Sequence, residues 1–226
     1  MSVVGKLFSH RPSGAGSNVF AIAAVCAGTI LAAISIAWID RPLARAVARW
    51  LPPGRSIPAV PDLLMPFVAI VSISMLVVWV WTWSRGRNNS RIGHLAPLLT
   101  LGIPLSFGLK ALTKWVYGRT ETRMFLSTYH SCDFCHWFDG YGPYTGFPSG
   151  HMLVLTTLLV LIVAIYPKLR YYSVAILLVL ALALILTSYH FLGDILGGWV
   201  FGYLLALIIL KTDSALRSVA ARRTPA

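Results

Sequence analysis

The 226 residues predict an all-α integral membrane protein with six transmembrane helices. Three observations carry that expectation. Hydrophobic residues make up 57% of the chain and charged residues 12%, a balance that soluble domains do not show. Six apolar stretches, near 18–39, 61–83, 92–116, 151–166, 171–189 and 191–210, are long enough or nearly so to cross about 30 Å of hydrocarbon. Six crossings also divide the basic residues unevenly, eleven on one side and eight on the other.

The first run is too long for a signal-peptide core, and Asp40-Arg41-Pro42 follows it with no convincing cleavage site, so it is expected to stay as an anchor. Arg41, Arg45 and Arg49 then recur every fourth residue beside a row of Leu43, Val47 and Leu51, with Trp50 adjacent. That pattern predicts a short amphipathic helix on the outer surface, ended by Pro52-Pro53-Gly54. Trp79, Trp81 and Trp83 form an aromatic belt at the end of the second run. Gly193, Gly197, Gly198 and Gly202 in the last run suit close helix contact. The free thiol of Cys26 is expected to be buried in the first span and inert.

The expected organisation is a cytoplasmic tail over 1–17, a membrane domain over 18–210 with an outer loop 117–150 above it, and a basic cytoplasmic tail over 211–226. The more basic side reads as cytoplasmic, which puts both termini there and the outer loop in the periplasm. Fourteen arginines against five lysines suggest a GC-rich bacterial source, hence the inner membrane. The net charge of +12 serves topology and anionic lipid, since no nucleic-acid motif accompanies it.

The ionisable residues at the outer ends of the spans carry the chemistry. Lys110 and Lys114 lie one turn apart at the end of the third span, with Arg119 just beyond; His151 opens the fourth; His190 ends the fifth, and Asp194 stands four residues on. Pro148 is expected in the first turn of the fourth helix, with the amides of Ser149, Gly150 and His151 facing an anion at its positive end. Gly150 admits the anion close to the backbone. His190 and Asp194, at i and i+4, are expected to share a helical face, the carboxylate fixing the imidazole tautomer. His94 has no partner that the sequence reveals.

These residues resemble the type 2 phosphatidic acid phosphatases, membrane relatives of the vanadium haloperoxidases. Pro148-Ser149-Gly150-His151 matches the family's P-S-G-H motif, His190 and Asp194 match its H-x3-D, and Lys114 and Arg119 match the K-x4-R part of its first motif. The likeness spans about residues 60–210 and implies a metal-independent phosphatase without a cofactor. It implies His190 as the nucleophile that forms a phosphohistidine, His151 as the acid for the leaving group, and Asp194 as the orienting carboxylate. Lys114, Arg119, Ser149 and Gly150 would hold the phosphoryl group. Two family arginines are missing, with Glu121 and Leu184 in their places, and Arg123 and Lys110 are the candidate substitutes.

Cys132 and Cys135 lie in HSCDFCHWF between His130 and His136, a spacing also compatible with zinc. In an oxidising periplasm a disulfide is the simplest reading, with free thiols and a metal as alternatives. A disulfide would stiffen the loop, leaving His130 and His136 at the rim and Trp137, Phe138, Tyr141 and Tyr144 to contact lipid or sugar. The expected substrate is a lipid phosphate in the bilayer: undecaprenyl diphosphate, phosphatidic acid, phosphatidylglycerol phosphate or lipid A. The alternatives are a lipid phosphotransferase, since sphingomyelin-synthase-like enzymes also lack the third-motif arginine, and a catalytically disabled scaffold.

Overall fold

The computed structural model describes residues 14–51, 59–87, 90–128 and 133–223. Among them there is no strand. The first helix, α1 (Gly14–Ile34), passes through a five-residue π-helical turn, Ser35–Ile39, directly into α2 (Asp40–Trp50). There follow α3 (Ala59–Ser84), α4 (Arg91–Tyr117), the short α5 (Thr122–Thr128), α6 (Gly150–Ile165), α7 (Arg170–Leu186) and α8 (Leu192–Arg223). Among the described residues five stretches, Asn18–Trp50, Pro66–Ser84, Arg91–Ser127, Pro167–Leu186 and Leu192–Val219, are long and apolar enough to cross a membrane. The protein is a multi-pass, all-helical membrane protein.

The sixth expected span is α6, whose 16 residues cover only about 24 Å. A helix apolar all round belongs inside a bundle, and α6 is buried from Gly150 through Leu159. Its Leu153, Val154, Leu158 and Leu161 pack against Leu95, Leu98, Leu99 and Ile103 of α4 and Ala206 of α8. The glycines of α8 permit this. A Cβ on Gly198 would collide with the Ser149 carbonyl and one on Gly202 with that of Leu153. Thr157 Oγ1, in turn, donates to the Gly202 carbonyl at 3.2 Å. By contrast α7 fully buries only Ser173 and Leu184. Leu177, Leu180 and Ile185 pack partly against the core, and Val174, Leu178, Val179 and Leu182 face outward, as on a helix facing lipid.

Two expectations need correction, whereas the amphipathic helix expected after the first span is present as α2, joined to that span by the π turn. Its basic row grips protein: Arg41 Nη2 donates to Asp133 at 2.7 Å, and the Arg45 guanidinium lies 5.2 Å from the Phe125 ring centre. Cys26 is exposed on α1, since a residue within a span can face hydrocarbon rather than the protein core. His94 does have a partner, Asp213, whose Oδ2 is 3.2 Å from its Nε2 and 119 positions away in sequence.

Candidate active site

The site is built where α4, the outer loop, α6 and the α7–α8 turn meet. Gly118 ends α4 in the left-handed conformation (φ 47°), where L side chains are disfavoured, and the His136 carbonyl fills the space a Cβ would need. The returning loop is stitched to this corner: Phe138 N donates to the Val116 carbonyl at 3.0 Å, Gly146 N to Arg119 at 2.8 Å and Glu121 N to Pro143 at 2.8 Å. The loop therefore delivers Phe147 and Pro148 to the start of α6 in a fixed register. Ser149 caps α6, its Oγ accepting from Met152 N at 3.5 Å. Pro148 thus precedes the cap and does not occupy the first turn. The Ser149 amide, expected to face an anion, donates to the Asp194 carbonyl at 2.9 Å. The Gly150 amide, at the first helical position, has no intrahelical carbonyl to bond.

A cavity of about 170 Å³ opens here, lined by Lys110, Lys114, Glu121, Arg123, Gly150, His151, Tyr189 and His190. The His151 and His190 rings stand 6.1 Å apart, centre to centre, at 63°. Tyr189 meets both edges-on or tilted, 5.2 Å from His151 and 5.3 Å from His190, and Arg123 lies over its ring at 4.8 Å. Lys114 Nζ donates to the Thr145 carbonyl, and Thr145 Oγ1 donates to Glu121 Oε1 at 2.5 Å. Lys110 lays its stem across Gly150, where a Cβ would sit 2.6 Å from its Cδ and Cε. Three cations against one carboxylate leave the cavity positive, as an anion site requires.

His190 reaches this cavity from a turn, not from a helical face. α7 ends at Leu186, Ser188 adopts φ 52°, and α8 begins at Leu192. Asp194 lies in the first turn of α8 and its Oδ2 accepts from Phe191 N at 3.1 Å, the reach of a third-position capping residue. The same Oδ2 is 3.8 Å from His190 Nδ1. Capping, rather than the i, i+4 face, brings the pair together, and it directs His190 Nδ1 toward the carboxylate. Burial pushes the His190 imidazole below the ordinary histidine pKa, against the opposing pull of Asp194.

Arg119 departs furthest from expectation. Its side chain is 0% exposed and does not line the cavity. Nη1 donates to Asp194 Oδ1 at 2.5 Å, Nη2 to Asp40 Oδ2 at 2.7 Å and Nε to Asp133 Oδ1 at 2.9 Å. A buried guanidinium needs counter-charge, and three carboxylates from three segments supply it. Arg123 and Lys110, the candidate substitutes, do line the cavity. Leu184, in the place of a family arginine, is fully buried among Met152 and Ile195.

Asp40 and Asp133 were missing from the sequence-based site. The available signal was an aspartate ending an apolar run, since an ionisable group at that depth points to a partner. Cys135 is disulfide-bonded; Cys132 and His130 lie outside the described residues. His136 stacks on Tyr144 at 3.6 Å. Trp137, with Tyr117, Phe134, Phe147 and Phe201, lines a second, apolar cavity of about 280 Å³. Among the described residues no group of three His, Cys, Asp or Glu side chains is arranged to hold a metal ion.

A comparison with curated proteins gives no match. Among solved structures the chain is similar to the first transmembrane PAP2-type phosphatidylglycerolphosphate phosphatase from Bacillus subtilis, at 17% identity and a TM-score of 0.45, covering 86% of this chain and 96% of that one. Residues 93–217, more than half of the chain and including every residue that lines the histidine cavity, match the PAP2 superfamily, and the chain belongs to that family.

Proposed function

We propose that this protein is a membrane lipid phosphatase that hydrolyses a phosphomonoester or diphosphate at the periplasmic face of a bacterial inner membrane, through a phosphohistidine at His190. One observation carries the reading: two imidazoles 6.1 Å apart across a cavity that also holds Lys110, Lys114 and Arg123. The cavity, about 170 Å³, is larger than one phosphoryl group. The periplasmic assignment follows from the excess of basic residues on the opposite side.

His190 Nδ1 faces Asp194, so the neutral ring carries its proton there and leaves the Nε2 lone pair for phosphorus. Burial, which pushes its pKa down, favours this neutral form. The N–P bond forms as the P–O bond to the lipid breaks, and protonated His151 gives its proton to the departing oxygen. Neutral His151 then takes a proton from water, whose oxygen attacks phosphorus. The N–P bond breaks and inorganic phosphate leaves. Lys110, Lys114, Arg123 and the Gly150 amide hold the non-bridging oxygens as charge builds. Asp194 stabilises the imidazolium that phosphorylation creates.

Phosphate release from phosphatidic acid in detergent tests this directly. The wild type is expected to turn over and His190→Ala to lose about 10⁶-fold, the scale of removing a covalent nucleophile. Equal rates in both contradict the reading. Transfer to a lipid or sugar acceptor is the second reading, favoured by Leu184, which leaves no third-motif guanidinium at the phosphate. Labelled lipid phosphate separates the two: hydrolysis puts the label in water, transfer puts it in another lipid.

A further inference from the structure

We propose that Asp40 is a positioning residue for the His190–Asp194 pair, acting through Arg119 and through the first turn of α8. This rests on the phosphatase reading above. Asp40 opens α2, well outside the region that matches the family.

The sequence builds a place for this carboxylate. In a regular α-helix residues five apart point about 140° away from each other. The π turn closes that angle: Asp40 N donates to the Ser35 carbonyl, and Ser35 Oγ reaches Asp40 Oδ1 at 2.7 Å. Single π turns inside α-helices recur at functional sites because they re-aim one side chain. Here the re-aimed group is a carboxylate with a side-chain exposure of 0%.

Asp40 has two further bonds, one to the first turn of α8 and one to Arg119. Oδ1 accepts from Gly193 N at 2.8 Å, one residue before Asp194. Oδ2 accepts from Arg119 Nη2 at 2.7 Å, and Nη1 of the same guanidinium holds Asp194 Oδ1 at 2.5 Å. Gly193 is glycine for this contact, since a Cβ there would stand 2.7 Å from Asp40 Oδ2 and 2.6 Å from Ile36 Cγ1. Asp194 is thus fixed twice from Asp40, once by its neighbour's amide and once by the planar fork of Arg119. With Oδ1 held there, Oδ2 remains for Phe191 N and His190. Asp133 supports the same fork at Nε and is itself held by Arg41, so the outer loop closes the network.

Removing Asp40 unlocks the fork and the amide together, and leaves the cations of the cavity untouched. The expected signature is a fall in kcat of about tenfold to a hundredfold, the range for outer partners of a catalytic group, at nearly unchanged KM. The experiment uses the full chain in detergent, with phosphatidic acid as substrate and phosphate release as readout, alongside His190→Ala. Asp40→Asn keeps the volume, Asp40→Glu restores the charge, and Arg119→Lys is measured alone and combined with Asp40→Asn. The proposal expects monodisperse Asp40→Asn protein with low kcat, partial recovery in Asp40→Glu, and a double variant no worse than the poorer single one. Wild-type kcat in monodisperse Asp40→Asn overturns it, as do losses that simply multiply in the double variant. If no Asp40 variant gives monodisperse protein, Asp40 is a folding residue and the positioning role is rejected. A wild type that releases no phosphate rejects the phosphatase reading itself, and any role in positioning for it.

Discussion

Two groups of cations converge on the turn that carries His190, and they are treated in opposite ways. Lys110, Lys114 and Arg123 line the cavity and share one carboxylate, Glu121. Arg119, four residues before Arg123, faces three carboxylates and no cavity. The contrast teaches that a cation's use is set by its local counter-charge. A guanidinium surrounded by Asp40, Asp133 and Asp194 is already neutralised by the protein and serves as a strut. Cations that outnumber their carboxylates leave the cavity positive and open to an anion.

Substitutions at the two groups should therefore fail differently. The largest effect is expected at Arg119. Arg119→Ala leaves two buried carboxylates, Asp40 and Asp194, without their shared partner. Breaking a buried pair typically costs about 3–5 kcal/mol, so the thermal transition in detergent should drop sharply along with activity. An unchanged transition would break the comparison. Lys114→Ala comes next, with a loss of about 10²–10³ in kcat/KM, the scale of one phosphate-holding donor, and a transition within a few degrees of wild type. The smallest effect is expected at Gly150. A Cβ there meets only the flexible stem of Lys110, so Gly150→Ala should displace that ammonium and raise KM several-fold without unfolding the protein.

Much of this was legible in the sequence, and the gaps have physical causes. Hydrophobic runs report burial from water, so the helices could be read, and the short α6 still registered because it is apolar on every face. His151, His190 and Asp194 were legible because their spacing belongs to one turn and one helix start. Arg119 and Arg123 look alike in sequence; only the fold decides which one turns inward, through carboxylates 79 and 75 positions away. Asp40 was absorbed into an amphipathic pattern because a π turn leaves no mark in hydrophobic periodicity. The pairing of His94 with Asp213 was invisible for the same reason of distance.

The most direct test of the central claim is to trap the enzyme–phosphate bond. Rapidly quenched reactions with phosphate-labelled phosphatidic acid are digested, and the labelled peptide is sequenced. The expected result is an acid-labile, alkali-stable label on His190, absent in His190→Ala and altered in amount in His151→Ala. A label on any other residue, or phosphate released by the wild type with no protein-bound label at any quench time, would contradict it.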